Sequence, residues 1–170
     1  MSRKLIVTGG LGFIGKNFCN IIDSEYTEKI IIDKLTYASD RYYYNKNLKD
    51  HWKLVIDNCS NISKYIEENQ SYDIVHFAAE SHVDHSFTNA SHFFQSNVMD
   101  TLELLEVVRS KPQNFRLLHI STDEVYGEQF HNAATENTPL TPTNPYSASK
   151  TSADILVQTF IKCFGLNAKI

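Results

Sequence analysis

The sequence predicts an α/β fold in which helices cover both faces of a parallel sheet, an arrangement called doubly wound. Three observations predict it: short β-branched runs alternate with longer amphipathic stretches, a glycine cluster follows the first run, and no internal repeat interrupts the alternation. The chain has 170 residues, of which 42% are hydrophobic, so it can bury a sizeable core.

Four candidate strands and two candidate helices fill the first half of the chain. Each strand is a short run rich in β-branched or aromatic residues, whereas each helix is a longer stretch with amphipathic spacing. The strands are expected at residues 4–8, 30–33, 52–57 and 74–78. The helices are expected at residues 13–23 and 62–69.

The second half begins with a long helical pattern at residues 93–109. Its apolar residues recur at helical intervals: Phe94, Val98, Leu102, Leu105 and Val108. A fifth strand is expected at residues 117–121. Three of the 4 prolines then fall at positions 139, 142 and 145, which indicates a loop.

The last predicted helix follows this proline-rich loop. Asn144 suits the N-cap and Pro145 the first helical position, while Gly165 is a natural helix end. Residues 167–170 resemble the opening of a sixth strand, so the chain is expected to stop partway through its sheet.

Charge and hydropathy exclude two classes of partner. The net charge of −4 leaves no basic field to hold nucleic acid or an anionic membrane. The longest apolar runs, such as residues 29–32, are far too short to span a bilayer, and the start turns glycine-rich too early for a signal-peptide core to be expected. We therefore expect neither nucleic acid nor membrane as a partner.

The three cysteines, Cys19, Cys59 and Cys163, are odd in number and widely spaced. They contain no CxxC pair, so they are expected to be buried free thiols in a reducing compartment. The expected location is the cytoplasm.

Four of the 6 glycines fall within residues 9–15, between the first candidate strand and the first candidate helix. The spacing of Gly9, Gly12 and Gly15 lets the backbone turn tightly and approach a pyrophosphate at the helix N-terminus. Asp33 ends the second strand, where an acid would bind the ribose and favour NAD over NADP. A purely structural turn is the alternative, but the three features together predict a Rossmann-like NAD site.

Tyr146 and Lys150 lie four residues apart at the start of the last predicted helix, so they share one helix face. An ammonium beside a phenol lowers the pKa of the phenol and provides an acid/base near neutral pH. Alone, this spacing is equally consistent with two solvated polar residues. Beside a dinucleotide site it resembles the extended branch of the short-chain dehydrogenase/reductase superfamily.

Thr122, Asp123 and Glu124 follow the fifth candidate strand, and ligands bind off the carboxyl ends of strands in open α/β sheets. Two adjacent carboxylates can act as acid and base when their environments differ. For an arbitrary Asp–Glu pair, a solvated loop is the alternative.

A closer resemblance covers the chain from Lys4 to its last residue. The sequence resembles the nucleotide-sugar 4,6-dehydratases in four segments: HISTDEVYG at 119–127, AAESHVD at 78–84, DKLTY at 33–37 and YSASK at 146–150. Those enzymes are about twice this length. The resemblance therefore implies that residues 1–170 form an NAD-binding Rossmann domain truncated before the C-terminal substrate lobe.

The resemblance implies conversion of a nucleotide-activated glucose, dTDP-glucose or UDP-glucose, to the 4-keto-6-deoxy sugar nucleotide. Tyr146 would take the proton of the C4 hydroxyl while hydride leaves C4 for NAD. Glu124 would remove the C5 proton and Asp123 would protonate the departing C6 hydroxyl, before hydride returns to C6. Thr122 is implied to hydrogen-bond near C4, and Lys150 to bind the nicotinamide ribose.

The resemblance also implies a set of cofactor contacts. The NAD-binding positions are Gly9, Gly12, Phe13, Ile14, Gly15, Asp33, Lys34, Leu35, Thr36, Asp57, Asn58, Phe77, Ala78, Ala79, Glu80, Ser81, Ser96, Tyr146 and Lys150. Asp57 and Asn58 would lie beside the adenine. Ser81 and Thr122 would also touch the substrate.

Several positions depart from that family's pattern. Asn58 replaces a usual apolar residue, Ser96 a common Thr, and Asp100 a frequent Gly. His85 stands where the dTDP-glucose enzymes have Arg, which leaves the nucleotide preference open. His82 and His85 lack a third ligand, so they predict a polar lining and not a metal site.

The family also implies a homodimer formed through the helices at 93–109 and 146–164, although their apolar residues could equally belong to the core. Two alternatives to half of a dehydratase stay open. One is a non-catalytic NAD-binding module, and the other is a sugar-nucleotide 4-epimerase.

Overall fold

One parallel sheet organises the protein, whose computed structural model describes residues 3–22, 26–129 and 133–170. The sheet has six strands in the order β3-β2-β1-β4-β5-β6, and each neighbouring pair is parallel. The strands are β1 (Lys4–Thr8), β2 (Lys29–Asp33), β3 (Lys53–Ile56), β4 (Tyr72–His76), β5 (Phe115–His119) and β6 (Ala168–Lys169). The predicted α/β class and parallel sheet are confirmed.

The central strands form because their residues are apolar on both sides of the chain. Successive side chains of a strand point to opposite faces, and a sheet covered on both faces needs both sets to be apolar. Ile6 and Ile74 belong to a core cluster on one face, whereas Leu5 and Val75 belong to a second cluster on the other. The sheet is therefore doubly wound, as predicted.

Helices of several lengths connect the strands. The α-helices are α1 (Phe13–Ile21), α2 (Arg41–Tyr43), α3 (Val83–Thr88), α4 (Ala90–Phe94), α5 (Asp100–Ser110) and α6 (Pro145–Phe164). Two π-helical segments continue α2 and join α4 to α5: Tyr44–Leu48 and Gln95–Met99. Three 3₁₀ segments complete the set: Cys59–Tyr65, Pro112–Asn114 and Asp123–Tyr126. Within the described residues, no helix is long and apolar enough to cross a membrane.

The prediction of a helix at 62–69 is wrong in extent and type. A 3₁₀ helix begins earlier, at Cys59, because the Asn58 side chain caps it by accepting from the Ser60 N–H at 3.1 Å. It ends at Tyr65, and Asn69 adopts a left-handed backbone with φ 60° that no helix continues through. The Asn58 cap, and not the apolar spacing, therefore sets the start of this segment.

Strands β4 and β5 begin two residues before the predicted 74–78 and 117–121. Their first residues include charged side chains, which the apolar runs did not indicate. Asp73 accepts hydrogen bonds from both Arg3 and Arg116, the latter on the neighbouring strand, so these charges pair across the sheet. Pairing with two arginines offsets part of the cost of burying this carboxylate.

Helix α6 has the bounds that its terminal residues predict. Asn144 and Ser147 form a reciprocal capping box, Pro145 occupies the first turn, and Gly165 ends the helix with φ 67°. The predicted helix at 13–23 also starts as expected at Phe13, although Asp23 lies outside the described residues. The predicted 93–109 helix runs as α4, a π segment and α5.

The expectation of three buried thiols is wrong for one of them. Cys19 and Cys59 are buried, and burial raises the pKa of each to about 12, but Cys163 is exposed near the end of α6. Cys163 is not among the buried residues of α6, so the apolar character of cysteine does not decide its burial.

A thiol reagent should distinguish these cysteines. Only the thiolate reacts, so we expect one fast equivalent of maleimide in the folded protein, at Cys163, and three in urea. Mass spectrometry of the labelled peptides measures the site. In Cys163→Ser the fast equivalent should vanish, and its persistence would show that Cys19 or Cys59 is accessible.

Candidate active site

A groove of about 530 Å³ opens at the carboxyl ends of the strands. Segments that follow β1 and β4 lie at its centre, which is where the strand order changes direction. Ligands of open α/β sheets bind at such a switch point, and the volume is typical of small-molecule sites. Residues after β3 line one end of the groove, and residues of α6 line the other.

Most of the predicted cofactor positions line this groove. They are Gly9, Gly12, Phe13, Ile14, Gly15, Asp33, Lys34, Thr36, Asp57, Asn58, Phe77, Ala78, Ala79, Ser81, Ser96, Tyr146 and Lys150. Leu35 packs against the apolar cluster around α1 instead, and Glu80 is buried between Lys34 and His92. The lining also includes residues that sequence reasoning did not assign, among them Tyr37, Ser39, Cys59, Asp100 and Ser121.

The glycine turn fits a closely approaching ligand. Gly9 has φ +66°, and a Cβ there would lie 2.6 Å from the Ala78 backbone N. A Cβ on Gly15 would lie 2.4 Å from the Gly9 carbonyl O, so protein packing requires both glycines. Gly12 differs, since its φ is −66° and its nearest neighbour would be at an ordinary 3.4 Å. The missing side chain of Gly12 leaves room in the groove itself.

The N-terminus of α1 faces the space in the groove that Gly12 leaves free. Gly12 is the N-cap, so no side chain caps the first N–H groups, and the first turn contains no acidic residue. Uncapped N–H groups and the helix dipole together favour an anion at this point. The turn therefore suits a phosphate group.

Asp33 connects the end of β2 to the glycine turn. Its Oδ2 accepts from the Leu11 N–H at 3.0 Å, and its Oδ1 accepts from the Leu35 N–H at 2.9 Å and the Ser39 hydroxyl at 2.7 Å. The carboxylate is 6% exposed and lines the groove. It is therefore fixed in position at the point where a ribose hydroxyl would be recognised.

The acid pair lies beside the α6 end of the groove. Thr122 caps the 3₁₀ segment by accepting from the Glu124 N–H at 3.3 Å. Asn144 Nδ2 donates to Glu124 Oε2 at 2.9 Å, while its Oδ1 caps α6. Asp123 is exposed and Glu124 is half-buried, so the two carboxylates have different environments. Sequence reasoning missed Asn144 as the link between Glu124 and α6.

Tyr146 is 8% exposed at the start of α6, and its ring packs edge-on against Phe93. Burial raises the pKa of its phenol, the charges of Glu124 and Asp123 raise it further, and a hydrogen bond with Thr122 opposes the shift. The expectation that Lys150 lowers this pKa overall is therefore wrong. The net shift is upward because burial outweighs the favourable contacts.

Lys150 is 4% exposed, and its Nζ donates to the Ile120 carbonyl at 2.7 Å. Burial lowers the pKa of its ammonium to about 8, and the nearby Asp154 carboxylate opposes that shift. Asp154 continues the row of Tyr146 and Lys150 on α6, accepts from the Ser121 hydroxyl at 2.5 Å and lies 3.3 Å from His119 Nε2. The i, i+4, i+8 spacing was the signal that could have identified Asp154.

Asn97 joins the two sides of the groove from beneath. Its Oδ1 accepts from the Glu80 N–H at 2.7 Å, and its Nδ2 donates to the Glu80 carbonyl at 2.9 Å and to the Ser149 hydroxyl at 2.9 Å. Asn97 is 1% exposed. It therefore fixes the segment after β4 against α6, a role that its helical sequence position did not indicate.

Curated proteins are similar in sequence to nearly the whole of this chain. The chain is 41% identical over 175 residues to the dTDP-glucose 4,6-dehydratase of Mycobacterium tuberculosis (strain ATCC 25618 / H37Rv), covering 98% of this chain and 51% of that protein. It is 38% identical over 188 residues to the dTDP-glucose 4,6-dehydratase of Salmonella typhimurium, covering 96% of this chain and 52% of the relative. The chain thus spans about half the length of the curated relatives it matches.

Solved structures of a dehydratase and an epimerase have a similar fold. The dTDP-glucose 4,6-dehydratase of Streptomyces venezuelae, solved with NAD and TYD bound, superposes with a TM-score of 0.86 at 36% identity, over 97% of this chain and 53% of that one. The UDP-glucose 4-epimerase of Thermus thermophilus, solved with NAD, gives 0.85 at 25% identity, over 97% and 53%. The family described as GDP-mannose 4,6 dehydratase matches residues 6–170. The chain therefore belongs to this nucleotide-sugar dehydratase family, as the four sequence segments had indicated.

Proposed function

We propose that this chain forms the cofactor-binding half and supplies the catalytic side chains of a nucleotide-sugar 4,6-dehydratase. The substrate class is a nucleotide-activated glucose, dTDP-glucose or UDP-glucose, and the product is the 4-keto-6-deoxy sugar nucleotide. One observation carries this proposal: Asp123 and Glu124, in different environments, lie beside Tyr146 at one end of a groove whose centre is a glycine turn.

The residues along the groove fit NAD. The uncapped start of α1 would face the pyrophosphate, Asp33 would accept from the adenosine ribose, and Lys150 would bind the nicotinamide ribose. NAD, when bound, supplies the acceptor and later donor of the hydride that the reaction moves between C4 and C6. The space left by Gly12 supports this fit, because no protein contact requires a glycine there.

Each of the catalytic side chains would transfer one proton. Tyr146, with Thr122 beside its phenol, would accept the proton of the sugar C4 hydroxyl. Glu124, held by Asn144, would remove the C5 proton, and the exposed Asp123 would protonate the C6 hydroxyl as it leaves as water. Ser81 and Thr122 would contact the sugar.

We also propose that the whole protein is a cytoplasmic homodimer that binds neither nucleic acid nor membrane. The inner faces of the two helices implied in dimerisation are core, since Leu105, Val108 and Phe160 are buried. Their outer faces keep Met99 43% and Ile155 51% exposed. This exposed apolar surface supports the helices as the contact between subunits.

Product analysis with dTDP-glucose and UDP-glucose tests the activity. The full-length protein should release a 4-keto-6-deoxy product, identified by mass spectrometry as the loss of one water, from at least one substrate. Formation of the 4-epimer without loss of water would favour the epimerase. Tight NAD binding with no product from either substrate would favour the non-catalytic module.

The cofactor preference should depend on Asp33. The folded protein should bind NAD more tightly than NADP, whose 2′-phosphate would meet the Asp33 carboxylate. In Asp33→Asn we expect roughly ten- to a hundredfold weaker NAD binding, because a hydrogen bond to a charged acceptor is worth roughly 1.5–3 kcal/mol. The preference over NADP should shrink as well. Titration calorimetry with both dinucleotides measures this.

Asp50→Asn is the matched control, because Asp50 is exposed on the protein surface and does not line the groove. Thermal unfolding of each variant shows whether the loss of the Leu11 and Leu35 contacts has weakened the fold. An unchanged NAD-to-NADP ratio in a folded Asp33→Asn protein would contradict the role given to this carboxylate.

A further inference from the structure

A buried polar pair lies next to the α6 end of the groove without lining it. The pair consists of His119, the last residue of β5, and Asp154 on α6, which are 1% and 3% exposed. Within the described residues, both ring nitrogens of His119 and Asp154 Oδ1 are buried without a hydrogen-bond partner. Buried polar atoms are normally paired, so this arrangement calls for a functional explanation.

The Asp154 carboxylate is weakly held for a buried charge. Its Oδ2 accepts from the Ser121 hydroxyl at 2.5 Å, which is its one hydrogen bond in the described part of the chain. Its Oδ1 lies 3.3 Å from His119 Nε2, in a geometry that makes no hydrogen bond. A buried carboxylate with a single neutral donor is costly unless a positive charge lies close to it.

Neither histidine near Asp154 supplies that positive charge at neutral pH. Burial lowers the pKa of His119, and this effect outweighs the opposing one of the Asp154 carboxylate. His76, on the neighbouring strand β4, has its ring centroid 5.3 Å from that of His119. Burial holds the pKa of His76 well below its usual value. Both rings are therefore neutral near pH 7.

Lys150 is the cation closest to Asp154 along α6. The two residues are four apart on the helix, so their side chains are neighbours. Lys150 Nζ donates to the Ile120 carbonyl, and Ser121, the next residue, donates to Asp154, so both charged side chains contact the same short segment after β5. Burial lowers the pKa of Lys150 to about 8, and the charge of Asp154 opposes that shift.

We propose that Asp154 is a positioning residue of the active site, whose buried carboxylate is the counter-charge of the Lys150 ammonium. This inference rests on the proposed function, in which Lys150 lies one helical turn from the Tyr146 phenol. A positive charge there favours the phenolate form, which can accept a proton from the sugar. Without Asp154, the buried ammonium would lose its proton near neutral pH and this support would disappear.

A direct effect of Asp154 on Tyr146 would have the opposite sign. The charges of Glu124, Asp123 and Asp154 each raise the pKa of the phenol and so disfavour the phenolate. Removal of the Asp154 charge should therefore slow the reaction if Asp154 acts through Lys150, and should speed it if Asp154 acts on the phenol. The two routes can be distinguished by experiment.

NMR titration of the full-length protein, labelled with ¹⁵N at the lysine side chains, tests the counter-charge. The signal of Lys150 is the one that Lys150→Met lacks. In Asp154→Asn, which keeps the size of the side chain, the midpoint should fall by at least about one pH unit. Asp154→Glu keeps the charge, and Ser121→Ala removes only the hydrogen bond, so each should stay within about half a unit. If Asp154→Asn does not fold, Asp154→Ser removes the same charge.

The pH dependence of turnover tests the role in the reaction. Near pH 8, kcat of Asp154→Asn should be at least about fivefold lower, because the protonated fraction of Lys150 falls from about one half to about one tenth. The loss should disappear towards pH 6. KM should change less than about twofold, since Asp154 does not line the groove. The exposed control Asp50→Asn should match the unaltered protein at each pH.

Several results would overturn the inference. One is an unchanged Lys150 midpoint in folded Asp154→Asn, and another is an equal loss of kcat at both pH values. Faster turnover of that variant would show direct action on the phenol. A His119 ring that titrates above pH 7 only while Asp154 is present would show that the carboxylate pairs with His119 instead. Absence of any 4-keto product from the unaltered protein would overturn the proposed function, whereas the titration tests the counter-charge independently.

Discussion

Gly9→Ala should lower the free energy of unfolding by about 3 kcal/mol and weaken NAD binding more than tenfold. Two costs add at this position. The φ of +66° strains any residue with a Cβ by roughly 1–2 kcal/mol, and overpacking a tight site costs roughly 1–3 kcal/mol more. The clash is with the backbone of Phe77 and Ala78, at 2.6–2.9 Å, which cannot rotate away as a flexible side chain can.

Gly165→Ala is the matched control for this prediction. Gly165 has nearly the same φ, +67°, but nothing lies within 4 Å of the added Cβ, so it should lose only about 1 kcal/mol. Urea unfolding of both variants measures the difference. Equal losses would show that backbone strain alone explains Gly9, and that the segment after β4 can move aside.

The sheet could be predicted because its signal is local. The run from Lys4 to Thr8 is a buried strand on composition alone, and its observed bounds agree with the predicted ones. The early start of β4 could not be predicted in the same way, since Asp73 is stabilised by Arg116, 43 residues away. Short helices such as Val83–Thr88 were missed because their few residues show no clear period.

The residues of the candidate site also differ in whether their signal in the sequence is local or long-range. The glycine turn and the Tyr146–Lys150 pair are short-range patterns, and the structure brings them into one groove. The bond between Asn58 and Asp100 joins residues 42 apart, which in the sequence are only two separate departures from a family pattern. Tertiary packing decides which polar groups form hydrogen bonds with one another. The sequence alone therefore could not predict this contact.

Relative to the unaltered protein, Lys150→Met should be more stable at pH 7 than at pH 10.5, by about 3 kcal/mol. Burial lowers the pKa of Lys150 to about 8 in the folded protein, against an ordinary value of 10.5. Between these values the unfolded chain binds a proton that the folded protein does not, so the stability of the unaltered protein rises with pH. Below pH 8 the full penalty for burying the ammonium applies, and above about pH 10.5 it disappears.

The gap in stability between Lys150→Met and the unaltered protein should therefore be widest near pH 7 and shrink by about 3 kcal/mol towards pH 10.5. Urea unfolding at several pH values measures it, and Lys162→Met, on the exposed face of the same helix, should show no such trend. A gap that stays constant with pH would mean that water reaches the Lys150 ammonium. A protein that keeps so costly a buried lysine gives up stability for function, and the variant should accordingly bind NAD more weakly.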